Sequence, residues 1–99
     1  VGGENVFPAE VENILATHPE VRDVCVVPVP HEVKGQVPVA FVVRNVGSKL
    51  GEKELIDYYI ERGPAYSHPR HIYFIDEMPL LGTGKTDLKA LERQAREPG

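Results

Sequence analysis

The spacing of apolar residues changes from one stretch of the chain to the next, and the changes mark its elements. Between Pro8 and His18, Val11, Ile14 and Leu15 recur at helical spacing and form one apolar face. Pro8 suits the first helical position, Glu10 and Glu12 suit the positive end of the helix dipole, and His18-Pro19 ends the run. From Val21 to Val29 valine dominates, which predicts a strand; Pro28 and Pro30 place its end at a sheet edge or a bend. The polar stretch His31 to Gln36 contains Gly35 and predicts a turn. Val37 to Val43 is apolar almost without a break, the pattern of a strand buried on both faces.

A loop from Asn45 to Gly51 leads into a second helical pattern, Glu52 to Arg62, with Leu55, Ile56, Tyr59 and Ile60 on one side and Gly63-Pro64 as the stop. Arg70 to Ile75 alternates as a third strand. Met78 to Thr86 holds Pro79, Gly82 and Gly84, so it must be irregular. Asp87 can cap a last helix whose apolar face is Leu88, Leu91 and Ala95. This order predicts an α+β fold, a small three-stranded sheet covered by helices. One domain is expected over residues 1–96, with 97–99 as a loose tail.

Composition narrows the function. With 99 residues the chain has room for one modest core and no deep pocket of its own. A net charge of −4 argues against a nucleic-acid partner, although Lys85, Lys89, Arg93 and Arg96 make a local basic cluster. The single cysteine, Cys25, lies in an apolar run and reads as a buried, inert thiol, which fits a cytoplasmic setting. No run is long and apolar enough to span a membrane, and no signal peptide is visible. The chain opens on Val1 without an initiator Met, so it is expected to be a piece of a longer polypeptide.

Two glycine-bearing segments are candidates for chemistry: Gly2-Gly3-Glu4-Asn5, and Gly82-Thr83-Gly84-Lys85. Glycine permits a close backbone approach or a positive φ, and a lysine directly after it is a point charge on a movable arm. Such a charge can neutralise phosphate and carboxylate oxygens as they are brought together; the competing reading is a solvated lysine in a turn. A phosphate-binding P-loop needs a glycine five positions before Gly84, where Pro79 stands. The four histidines do not make zinc-ligand spacing: Pro69 separates His68 from His71, and His18 and His31 are isolated. His18 reads instead as a helix-end residue. Asp76 and Glu77 are adjacent at a strand end, where their side chains diverge into a solvated turn. Phe41, Tyr58, Tyr59, Tyr66 and Phe74 fall where packing would want them, not on a base-stacking platform.

The stretch from Gly2 to Glu12, with its glycine pair, Asn5, Phe7-Pro8 and two glutamates, resembles the motif that opens the C-terminal domain of adenylate-forming acyl-CoA synthetases. Pro79 to Asp87 resembles that domain's closing motif, in which a Gly-Lys pair follows a proline. His18 to Val24 and Gly35 to Val42 are similar to its two core strands, so the resemblance runs across essentially the whole chain. It implies a two-step acid–thiol ligase acting on a carboxylic, and by expectation fatty, acid. In the first step the acid and Mg·ATP form acyl-AMP; in the second a thiol displaces AMP. It implies that Lys85 is the catalytic residue of the first step, reaching into a large N-terminal adenylate-binding domain. Cofactor contacts fall on Gly2, Gly3, Glu4 and Gly84, with Gly2 and Gly3 facing the thiol tunnel after the small domain rotates; no resident metal is implied.

Two departures qualify what the resemblance implies. Thr86-Asp87-Leu88-Lys89 stands where many family members carry a basic pair, and Met78 to Asp87 looks especially like bacterial acyl–acyl-carrier-protein synthetases. The thiol is therefore that of CoA or, alternatively, of an acyl carrier protein. Lys34 stands where many relatives carry an aromatic. Luciferase-like and peptide-synthetase adenylating enzymes share this kind of domain, and a stand-alone binding module is the alternative of another class. The fragment by itself is expected to be inactive.

Overall fold

The computed structural model describes residues 7–33 and 35–96. Three strands form one sheet in the order β1 (Val21–His31), β2 (Gly35–Arg44), β3 (His71–Phe74). β1 and β2 pair antiparallel as a hairpin, from Val21 opposite Arg44 to His31 opposite Gly35, and β3 joins β2 parallel, Val39 opposite His71. The parallel connection runs through α2 (Glu52–Arg62), as such connections require. α1 (Pro8–Leu15) precedes the sheet and α3 (Leu88–Arg96) follows it.

β2 is central and is buried from Val37 through Val43, as its unbroken apolar run predicts. Its alternate residues feed two cores. Ala40 and Val42 meet Val11 and Leu15 of α1, Leu55 and Tyr59 of α2, Val26 and Ile72. Val39, Phe41 and Val43 meet Cys25, Val27, Met78 and Leu91 of α3. The molecule is thus a sheet with two helices on one face and one on the other, which is the expected three-stranded sheet covered by helices.

Several local expectations shift. α1 stops at Leu15, because beyond Ala16 the hydrogen bonds tighten: Thr17 N–H donates to Ile14 O and His18 N–H to Leu15 O. β1 continues through Pro28 and Pro30 to His31; the edge position tolerates prolines that lack an N–H. Gly35 closes the turn with φ +83°. α2 has its expected bounds, but Ile60 is exposed and only Leu55 and Tyr59 are fully buried. In α3, Leu91 is buried and Ala95 packs beside the second core, whereas Leu88 remains half exposed.

Gly63 does not end α2 by a left-handed turn, since its φ is −132°. A Cβ there would lie 2.7 Å from Ile14 Cδ1 and 2.9 Å from Tyr59 Cζ, so glycine is needed for the close approach of the chain to α1. Two glutamates also serve a purpose invisible in the spacing. Glu12 Oε2 accepts the N–H of Val26 at 2.8 Å, and Glu52 Oε2 accepts the N–H of Ile72 at 2.8 Å. Each satisfies a backbone donor on an outer strand and ties a helix to that edge.

Candidate functional site

Lys85 stands in a short hairpin between β3 and α3. The main chain builds it: Gly84 N–H donates to Leu81 O at 2.8 Å, and Leu81 N–H donates to Lys85 O at 2.7 Å. Leu80 and Thr86 form a β-bridge, and Asp87 N–H closes the neck on Pro79 O at 2.8 Å. Gly84 has φ +88°, the left-handed residue that a three-residue hairpin loop places before its second arm. Gly82 has no such φ, and a Cβ at either glycine would meet nothing within 4 Å. Gly84 is therefore explained by backbone conformation, and the loop surface is open.

The movable part is the lysine side chain, carried on a base braced by hydrogen bonds. Lys85 is exposed, and among the described residues no carboxylate lies within ion-pair distance of its ammonium. Leu80, Leu81 and Leu88 around it are also exposed, at 62%, 47% and 50%. Beside the hairpin lies a depression of about 400 Å³ lined by Ile75, Glu77, Met78, Pro79, Leu80 and Gln94. Exposed leucines beside an exposed lysine form a surface suited to meeting another surface. The sequence carried this signal in Leu80-Leu81, two apolar residues that no predicted helix or strand face absorbed.

Gly2, Gly3 and Glu4 lie outside the described residues. The described residues begin at Phe7, exposed at 56%, which with Ile14, Tyr59, Pro64 and Tyr66 lines a cleft of about 60 Å³ in the α1–α2 layer. Lys85 rises from the opposite layer, where Met78 and Leu91 are anchored.

The histidines have structural partners. His18 Nδ1 accepts the N–H of Glu20 at 3.0 Å, and its ring meets Tyr58 edge-on. His68 Nδ1 lies 2.6 Å from Ala65 O, and His71 Nδ1 lies 3.9 Å from Glu52 Oε2. Among the described residues no group of three His, Cys, Asp or Glu could hold a metal ion. Asp76 and Glu77 are both exposed. Tyr59 and Phe41 are core residues, but Tyr66 is largely exposed.

Cys25 is buried, and burial, followed by the charges of Glu12 and Asp23, pushes its thiol up to about 11 from 9.0. The unfolded chain releases this proton at lower pH than the folded one. Stability should therefore fall as pH rises from about 9 to about 11, with no such loss below that range. A Cys25→Ala variant should lack this alkaline loss in melting curves, and iodoacetamide at pH 8 should label Cys25 only after denaturation. Rapid labelling of the native protein would contradict its burial.

The fold is a small α+β domain that carries an exposed lysine on a hydrogen-bonded glycine hairpin. The family model described as the AMP-binding enzyme C-terminal domain matches residues 10–85, and the chain belongs to that family. It is 45% identical over 94 residues to a probable acyl-activating enzyme 22 of Arabidopsis thaliana, covering 85% of this chain and 18% of that protein. It is 36% identical over 98 residues to a peroxisomal trans-cinnamate:CoA ligase of Petunia hybrida, covering 99% of this chain and 17% of that one. Among solved structures, ATP-bound MatB from Rhodopseudomonas palustris superposes with a TM-score of 0.89 at 27% identity, over 97% of this chain and 19% of that one. The chain thus spans less than a fifth of the length of these relatives.

Proposed function

We propose that this domain serves an AMP-forming acid–thiol ligase, with Lys85 as the catalytic residue of its first half-reaction. The acid's carboxylate attacks the α-phosphorus of Mg·ATP, acyl-AMP forms and pyrophosphate leaves. Lys85 supplies positive charge to the carboxylate and phosphate oxygens as they are pressed together. In the second half-reaction the thiol of CoA gives up its proton, attacks the acyl carbon and releases AMP. Gly2, Gly3 and Glu4 are assigned to the thiol side of the site, and Gly84 to the loop that carries Lys85.

The observation that carries this reading is an exposed lysine on a hydrogen-bonded hairpin, without an ion-pair partner among the described residues, at the end of the family match. A cation with no ion-pair partner among the described residues is suited to oxygens presented by another domain. Phe7, where the described residues begin, lies in the α1–α2 layer and the hairpin of Lys85 is anchored on the other, which supports alternate use of two faces. We assign Mg, which enters with ATP, to the N-terminal adenylate-binding domain that the sequence resemblance implies. CoA is the acceptor we assign, since the Petunia relative is named for CoA and none of the proteins above is named for a carrier protein.

The acid is carboxylic; a fatty acid rests on the sequence resemblance alone, and the Petunia relative is named for an aromatic acid. No helix of the described residues is long and apolar enough to cross a membrane. The cytoplasm is the compartment of this reading, and the peroxisome is the alternative raised by the Petunia relative's name. The full-length protein, given Mg·ATP, CoA and a panel of fatty and aromatic acids, should form a thioester with stoichiometric AMP and pyrophosphate. Release of ADP, or nucleotide turnover indifferent to acid, would contradict the proposal.

A further inference from the structure

We infer that Asp87 is a positioning residue for Lys85: it joins the first turn of α3 to the neck of the hairpin and so fixes where the lysine leaves the domain. The inference rests on the role of Lys85 proposed above.

Three bonds converge on this residue. Its carboxylate Oδ1 accepts the N–H of Ala90 at 3.1 Å, the N-cap bond of α3. Its backbone N–H donates to Pro79 O at 2.8 Å, and its carbonyl accepts the N–H of Leu91 at 3.3 Å. Leu91 is fully buried and Met78, just before Pro79, is nearly so, both in the same apolar cluster. Both sides of the neck are therefore anchored in one core, and Asp87 is the residue that links them. Lys85 lies two positions away, with its own carbonyl bonded to Leu81.

The effect runs through the main chain and not through charge. Among the described residues no ion pair joins Asp87 to Lys85. Without the cap the first turn of α3 frays, residue 87 gains freedom, and the neck loosens. Lys85 then spends less time in the geometry that the reaction needs. Asparagine caps as well as aspartate but carries no charge, which separates the two causes.

The test uses the full-length enzyme and reads the half-reactions separately: acid-dependent pyrophosphate–ATP exchange for the first, and AMP release from supplied acyl-adenylate with CoA for the second. Asp87→Ala should lower kcat for exchange about tenfold, equivalent to roughly 1.4 kcal/mol and within the range that loss of an N-cap removes. KM for ATP and acid, and the second half-reaction, should stay within about twofold of the parent. Asp87→Asn should restore exchange. Normal exchange in Asp87→Ala, an equal fall in both half-reactions, or an Asp87→Asn variant as slow as Asp87→Ala would each overturn the inference. Lys85→Ala, assayed alongside, keeps two failures apart. If it exchanges normally, the proposed role of Lys85 falls too; if it is inactive while Asp87→Ala is normal, only this inference falls.

Discussion

Replacing Lys85 by alanine in the full-length enzyme should lower the overall rate of CoA thioester formation by at least about 100-fold, the loss expected when one preorganised charge is removed from a developing anionic centre. The side chain is exposed and has no ion-pair partner among the described residues, so its removal leaves no buried group unsatisfied. The hairpin's bonds are between main-chain atoms and survive the change. The fold should therefore be untouched, and melting temperatures of parent and variant should agree. kcat/KM for CoA should hardly move, so KM for CoA should fall in step with kcat, because the lysine acts before the thiol is engaged. Lys85→Arg should recover little: the charge returns, but a planar fork replaces a compact ammonium. Steady-state thioester assays on the three proteins, paired with thermal melts, check this. A variant that loses rate and stability together would point to a structural role instead.

The second large effect concerns the core. Phe41→Ala should destabilise the domain by about 3–5 kcal/mol, the range for emptying a buried aromatic site. Phe41 lies on the central strand, 1% exposed, and stacks on Tyr73 with ring centroids 5.4 Å apart. Its neighbours Val39, Val43 and Leu91 are held by the sheet and α3, so the cavity cannot collapse readily. For a domain of this size the melting temperature should fall by roughly 15 °C or more. Val46, 95% exposed in the loop after β2, is the natural control, and its change to alanine should stay within about 0.5 kcal/mol. Denaturant and thermal melts of the 99-residue chain measure both. A Phe41→Ala domain that melts like the parent would show that the second core is not the support described.

Much of the architecture was legible because local signals and burial agree. The bounds of α2 follow from Gly51 and Gly63-Pro64 around a helical period, and β2 announces its central place by seven buried residues in a row. Where the reading slipped, the deciding fact lies in another element. Pro28 looked like an end because proline breaks ladders; it is harmless on an outer strand, where it faces Pro38. Glu12 was assigned to a helix dipole, yet its carboxylate reaches the Val26 N–H of a strand fourteen residues on. Gly63 does stop α2, but the close approach of Ile14 and Tyr59 that also calls for glycine there left no local signal. At the candidate site, the positive φ of Gly84 and the cap by Asp87 were foreseeable from residue type. The stiffness of the hairpin was not, because the Leu81–Lys85 and Asp87–Pro79 bonds leave no trace in composition or period.

The most direct test of the central claim follows one variant through both halves of the reaction. Full-length Lys85→Ala is assayed for acid-dependent exchange of labelled pyrophosphate into ATP, and separately for AMP release from supplied acyl-adenylate and CoA. The account predicts that exchange is lost while AMP release proceeds at the parent rate. Exchange at the parent rate, or an equal loss in both assays, would contradict it.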